Sequence, residues 1–175
     1  KLQVEYNPDA TCPTIDQHFH NVVKYKSDVG VLYELFGFCL KKDYFIETAF
    51  MLIGGGRNGK SKTVELLKLF LGADNVVSIS LQDIENRPYA ISELYNKMAN
   101  ISADLDKTAL KKTGYFKQLT GRDQVSAERK WLPRIHFRSF AKMVFCANDL
   151  PRTYDFTRAF FDRWVVLKFP FTFVT

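Results

Sequence analysis

Cysteine is scarce in this 175-residue chain: there are three, Cys12, Cys39 and Cys146, widely spaced and odd in number. That is no disulfide framework, and it matches a reducing, intracellular setting. No apolar run approaches the roughly 20 residues needed to span a bilayer, and the best candidate, Val29 to Leu40, carries Glu34. Internal repeats and low-complexity segments are missing as well, and Lys1-Leu2-Gln3-Val4-Glu5 does not have the form of a secretory leader. Metal-type spacing is also lacking. Cys12, His18 and His20 offer only one close pair, so structural or exposed roles are expected for them. These absences exclude a disulfide-stapled secreted module, a helical membrane protein and a small zinc domain. A soluble intracellular domain is expected, and the chain start suggests a piece cut from something longer.

What is present is a packed core and an uneven charge. Hydrophobic residues make up 46% and charged residues 25% of the chain, with 16 Phe, 8 Tyr and 2 Trp, a load that argues for packed layers. The net charge is +6, which makes a polyanion a plausible partner. Residues 107–142 hold ten basic side chains against Asp123 and Glu128, more positive charge than the whole chain carries. The bland account of such a stretch is a solvated surface; the sharper one is an electrostatic footprint for nucleic acid.

Periodicity supplies a coarse element order. Residues 1–13 read as a loop, and 14–42 as two short helices broken near Gly30. Phe45 to Ile53 reads as a buried strand, and 61–71 as a helix stopped by Gly72. A polar connection leads to a short strand, Met98 to Ala103. Residues 107–120 are expected to be helical, Val125 to Phe137 a hairpin interrupted at Leu132-Pro133, and Lys142 to Ala147 a strand ending at Asn148. A helix over 157–162 and a strand from Trp164 to Phe169 close the order. Strands alternating with helices imply an α/β fold with a mostly parallel sheet. Residues 1–43 are expected to be a helical N-terminal segment and 44–175 the core.

The sharpest motif is Gly54-Gly55-Gly56-Arg57-Asn58-Gly59-Lys60-Ser61, which matches G-x-x-x-x-G-K-[ST]. Glycines let the backbone wrap a phosphate chain with its N–H groups pointing inward. The following helix aims its N-terminal dipole at the anion, Lys60 reaches the outer phosphates, and Ser61 can ligate magnesium. The motif also lies between a buried strand and an amphipathic helix, its required context. A nucleoside triphosphate site is therefore expected at residues 54–62, Lys62 included. This motif alone leaves kinases, GTPases, motors and helicases open.

Three further landmarks narrow the field. Hydrolysis needs a carboxylate that holds magnesium or polarises water, usually at the end of a neighbouring strand. Asp104 stands there, with Asp106 as a weaker candidate, and a helix N-cap is the ordinary role for either. Asn148 ends another strand, where an uncharged polar group can orient water; it can equally be a turn residue. Arg158 and Arg163 lie just beyond, and a subunit-bridging ATPase needs an arginine for its neighbour's nucleotide.

In this order the landmarks resemble one family. Gly-x4-Gly-Lys-Ser, the strand with Asp104, Lys117-x-Leu119-Thr120-Gly121-x-Asp123, Lys130, and Asn148-x-Leu150-Pro151 followed by Arg163 are similar to the superfamily 3 helicase domain of phage, plasmid and viral primase-helicases. The similarity covers about residues 15 to 170. It implies an AAA+-like P-loop NTPase core with a β-hairpin insertion. It also implies a ring, usually hexameric, with ATP and magnesium at subunit interfaces. In that frame Lys60 and Ser61 are the Walker A residues, Asp104 is the Walker B acid sharing magnesium with Ser61, and Asn148 is the sensor. Arg163, with Arg158 second, is the trans-acting arginine. The block from Lys117 to Lys130 leads into a pore hairpin gripping single-stranded DNA, with Lys117, Lys130 and Arg134 as contacts. Trp131 is expected to pack beneath that hairpin. The usual adjacent acidic pair is split here by Leu105. A primase or other replication domain, if linked, lies outside this chain, and a host-cytoplasmic replication role is implied. Two rivals remain: a nucleotide-gated initiator or loader, and a P-loop polynucleotide kinase.

Overall fold

The computed structural model describes residues 5–87, 89–103, 105 and 109–174. Two helices come first, α1 (Pro13–Val22) and α2 (Lys26–Leu40). Pro13 occupies the first turn, where its missing N–H is no loss and its φ is already helical. The break between the helices falls at 23–25, where Val23 is extended, and not near Gly30. Gly30 lies inside α2, on a side where a Cβ would meet nothing within 4 Å.

The chain then alternates strand and helix. β1 (Ala49–Ile53) leads to α3 (Lys60–Leu71), a short turn to β2 (Val76–Val77), then α4 (Leu81–Asn86), α5 (Ala90–Glu93) and β3 (Ala99–Ser102). α6 (Gly114–Thr120) precedes β4 (Gln124–Arg129) and β5 (Leu132–Arg138), and β6 (Lys142–Ala147), α7 (Arg158–Phe161) and β7 (Trp164–Lys168) finish the order. β1 begins four residues later than expected, because Phe45 and Ile46 stand half in solvent ahead of the sheet. α6 begins at Gly114, well inside the helix expected over 107–120. Leu132 and Pro133 belong to β5 and do not interrupt the hairpin.

The central sheet has the order β2-β3-β6-β1-β7, and every neighbouring pair is parallel. β6 occupies its middle and β1 lies beside it, with Phe50 opposite Val144 and Ile53 opposite Ala147. Strands covered on both faces read as unbroken apolar runs, which is why AFMLI and KMVFCA lack a polar alternation. Side chains still alternate between faces. Phe50 and Leu52 join α1, α2 and α3 in one core through Phe19, Leu35, Val64 and Leu67. Ala49, Met51, Met143 and Phe145 point into a second core with Ile84, Phe116, Leu119 and the hairpin residues Val125, Ala127 and Phe137. Each fully buried Leu or Phe of these cores contributes roughly 1.5–3 kcal/mol. The result is three layers, with the hairpin anchored to the layer that carries α4 to α6. Among the described residues, no helix is long and apolar enough to cross a membrane.

Candidate nucleotide site and nucleic-acid interface

Parallel strands bring their carboxyl ends to one edge, the edge where α/β sheets bind ligands. The loop 54–59 leaves β1 there, and Asn148 follows β6 there. Gly54 N donates to Ala147 O at 3.2 Å, tying the start of the loop to the end of β6. Lys60 is buried, and its ammonium donates to Gly54 O at 2.5 Å and Ala147 O at 3.0 Å. Its charge therefore sits under the loop, one residue before Asn148, which is itself exposed.

Asn58 shapes the loop. It is 4% exposed, its Nδ2 donates to Gly55 O at 2.7 Å and Phe169 O at 3.4 Å, and its Oδ1 accepts from Lys60 N at 3.3 Å. Gly54 is compulsory for steric reasons: a Cβ would lie 2.2 Å from Asn58 Nδ2 and 2.5 Å from Phe169 O. Gly59 has φ +83 and would bring a Cβ 2.4 Å from Val22 Cγ1, so the end of α1 packs directly on the turn into α3. Gly55 and Gly56 are exposed, with open space around them. Arg57 (φ +56) is exposed, and its carbonyl accepts from Phe173 N at 2.7 Å. Ser61 is exposed on the first turn of α3, and Lys62 pairs with Glu65 at 2.8 Å on the exposed side of that helix.

His18 is a neighbour that the motif did not reveal. Its Nε2 lies 2.9 Å from Thr63 Oγ1, which donates to Gly59 O at 3.2 Å, and burial lowers its pKa. The His18 imidazole thus abuts the turn into α3. Only the fold could show this, because 45 residues separate His18 from Thr63.

Asp104 and Asp106 lie outside the described residues. Leu105 between them is described and buried, and its N–H donates to Cys146 O at 3.0 Å, beside the end of β6.

The two arginines differ. Arg163 is engaged within its own chain: Nε donates to Thr120 Oγ1 at 3.0 Å, its guanidinium meets Glu47 Oε2 at 2.5 Å and Ala159 O, and its side chain is 14% exposed. Arg158 is exposed at the start of α7. Lys117 is likewise committed, pairing with Asp155 at 2.8 Å. Asp155 also accepts from the hydroxyls of Thr113 and Thr157, and with Lys117 they hold its carboxyl well below the usual carboxylate range.

The hairpin carries the remaining basic candidates. Arg134 pairs with Glu128, and Arg129 Nε donates to Pro133 O at 3.1 Å. Lys130 and Trp131 form the two-residue tip, both exposed. Trp131 does not pack beneath the hairpin, as its aromatic character suggested. It has φ +61 and is 90% exposed. The turn that reverses the chain at 130–131 lifts the indole off the sheet.

Residues 52–163 match the family described as "Family of unknown function (DUF5906)". The chain belongs to the DUF5906 family. Over 149 residues this DUF5906 domain is 28% identical to "Putative helicase L207/L206" of Acanthamoeba polyphaga mimivirus, covering 82% of the domain and 16% of that protein. Among solved structures, the apo NrS-1 C-terminal region superposes with a TM-score of 0.68 at 18% identity, over 93% of the domain and 39% of that chain. JCV helicase superposes with a TM-score of 0.57 at 18% identity, over 90% and 43%. The domain therefore spans less than half the length of each of these relatives, from 16% to 43%. Its architecture is an α/β fold with a P-loop NTPase-like core and a mostly parallel sheet, the fold it shares with these solved structures.

Proposed function

We propose that this domain is the ATP-driven motor part of a DNA helicase that moves along single-stranded DNA. The observation that carries the reading is the Lys60 ammonium at the junction of β1 and β6, beneath a glycine loop and one residue from Asn148. The residues present fit a nucleoside triphosphate with magnesium. Gly55 and Gly56 leave the rim open, Gly54 permits close backbone packing, and α3 begins at the loop. Residues 54–62 would hold ATP, with Ser61 and Asp104 the candidates for magnesium. Bound there, the nucleotide supplies a phosphoryl bond whose cleavage is downhill, and the metal neutralises phosphate charge. Lys60 would exchange its carbonyl partners for phosphate oxygens, and Asn148 would orient the attacking water.

The hairpin supports nucleic-acid contact, since Lys130 stands exposed at its tip within the basic stretch 107–142. The segment 150–161 leaves Leu150, Tyr154, Phe156 and Phe161 exposed alongside Arg158, and this supports contact with a second copy in a ring, a hexamer by resemblance. Arg158 can reach across such an interface as it stands; Arg163 does so only by releasing Glu47 and Thr120. The longer protein is read as an intracellular replication protein that links this motor to further domains.

Strand displacement tests the reading. With ATP, the intact domain releases a labelled strand from a tailed duplex, and Lys60→Ala does not. ATP-dependent DNA binding without displacement would identify a loader or initiator instead. Phosphate transfer to nucleic-acid ends by a monomer would identify a kinase.

A further inference from the structure

The tip of the β4–β5 hairpin holds the most exposed large hydrophobic residue described, Trp131 at 90%. Its companion Leu132 is 59% exposed, and Pro133 is exposed beside it. Turn chemistry selects Gly or Asn where φ is positive; at φ +61 this turn carries an indole instead. The other tryptophan shows what the core does with such a ring. Trp164 stacks on Phe116 at 4.6 Å and 10° and packs against Phe145 and Phe160.

Below the tip the hairpin is firmly held. Val125, Ala127 and Phe137 are buried, and Phe137 meets Tyr95 edge-on at 5.3 Å. Arg129 and Arg134 are engaged with Pro133 O and Glu128. Among the described residues, no hydrogen bond or ion pair holds the Lys130 side chain. Two successive residues thus project from a rigid base, one a cation and one a flat aromatic face. A phosphate and its base are the complementary pair on a single strand. In a duplex the base faces are already stacked, so an aromatic face gains contact only with unpaired nucleotides.

We propose that Trp131 stacks on an unpaired base while Lys130 takes the adjoining phosphate, so that the tip selects single strands by their bases and not by charge alone. This rests on the proposed reading of the hairpin as a nucleic-acid contact. The surrounding positive charge favours a polyanion over an apolar pocket on a protein partner.

The test uses the intact domain, a labelled oligothymidylate, and a strand of equal length with abasic central positions. Tryptophan emission and anisotropy are read at several salt concentrations. The thymidylate strand quenches tryptophan emission, and Trp131→Ala loses that quench and binds the strand about tenfold more weakly. Trp131→Phe recovers most of the loss, and the abasic strand binds the unaltered domain and Trp131→Ala equally. Lys130→Ala weakens both strands and lowers the salt slope by about 1. Thermal midpoints stay unchanged, since neither side chain supports the core. Undiminished thymidylate binding by Trp131→Ala overturns stacking and leaves phosphate contact standing. Equal loss on both strands overturns it too, making Trp131 a shape-holding residue. No binding of either strand by the unaltered domain overturns it together with the proposed DNA contact.

Discussion

Arg163 and Thr120, 43 residues apart in the chain, are joined by a 3.0 Å hydrogen bond from Nε to Oγ1. The bond ties the head of β7 to the end of α6, and so to the helix that leads into the hairpin. Glu47 closes the arrangement from the approach to β1. These contacts join α6, which leads into the hairpin, to the edge of the sheet.

Arg163→Ala is expected to destabilise the domain by about 2 kcal/mol, from the lost charge-assisted bonds of a side chain only 14% exposed. Glu47→Gln should cost under about 1 kcal/mol, since Glu47 is 57% exposed. Denaturant midpoints measure both. An unchanged midpoint for Arg163→Ala would mean that the brace is idle and the arginine is available to a neighbouring subunit.

Gly54→Ala drives a Cβ to 2.5 Å from the Phe169 carbonyl, which is backbone and cannot swing aside. The expected cost is about 1–3 kcal/mol of stability, with a larger proportional loss of nucleotide affinity, because the loop must move off Asn58. Calorimetric titration with a nucleotide triphosphate, beside a thermal scan, separates the two effects. Unaltered affinity would show that the loop does not hold the phosphates.

Lys117 and Lys130 should behave oppositely. Lys117→Ala breaks the pair with Asp155 and lowers stability by roughly 1 kcal/mol while leaving strand affinity nearly intact. Lys130→Ala leaves stability intact and weakens strand binding in a salt-dependent way. Thermal midpoint and anisotropy on the same samples check the contrast, and a reversed pattern would refute it.

Lys142 gives the domain a distinctive alkaline response. It is fully buried, donates to Lys41 O at 2.7 Å and Phe140 O at 2.8 Å, and lies 4.6 Å from the Phe38 ring centre. Burial pushes its pKa from 10.5 down to about 8. Between these values the unfolded chain keeps a proton that the folded chain releases, so this group's contribution to stability rises with pH across that window. Below about 8 both states are protonated and its penalty on the fold is constant. The stability of the unaltered domain relative to Lys142→Met should therefore increase from pH 8 to pH 10.5, measured by urea unfolding. A flat difference would contradict it.

Much of this was legible in residue order, for identifiable reasons. Residues 54–61 announce themselves because phosphate binding constrains residue type and spacing together, and β6 (KMVFCA) because a strand buried on both faces has no polar interruption. The short helices α4 and α5 were hidden, since six and four residues cannot display a helical period. The break before α2 was misplaced because glycine at an exposed helical position looks like a stop and is not one. Nothing local ties Arg163 to Glu47 across 116 residues, or His18 to Thr63. Trp131 misled for a different reason: aromatic residues are normally core, and the tip position of this one depends on where the turn falls.

Steady-state ATP hydrolysis, with and without single-stranded DNA and across a range of protein concentrations, tests the central claim most directly. The account predicts a rate per subunit that rises with concentration and with DNA, and a Lys60→Ala control that is inactive. A rate indifferent to both, or one that survives Lys60→Ala, would contradict a shared active site coupled to a DNA track.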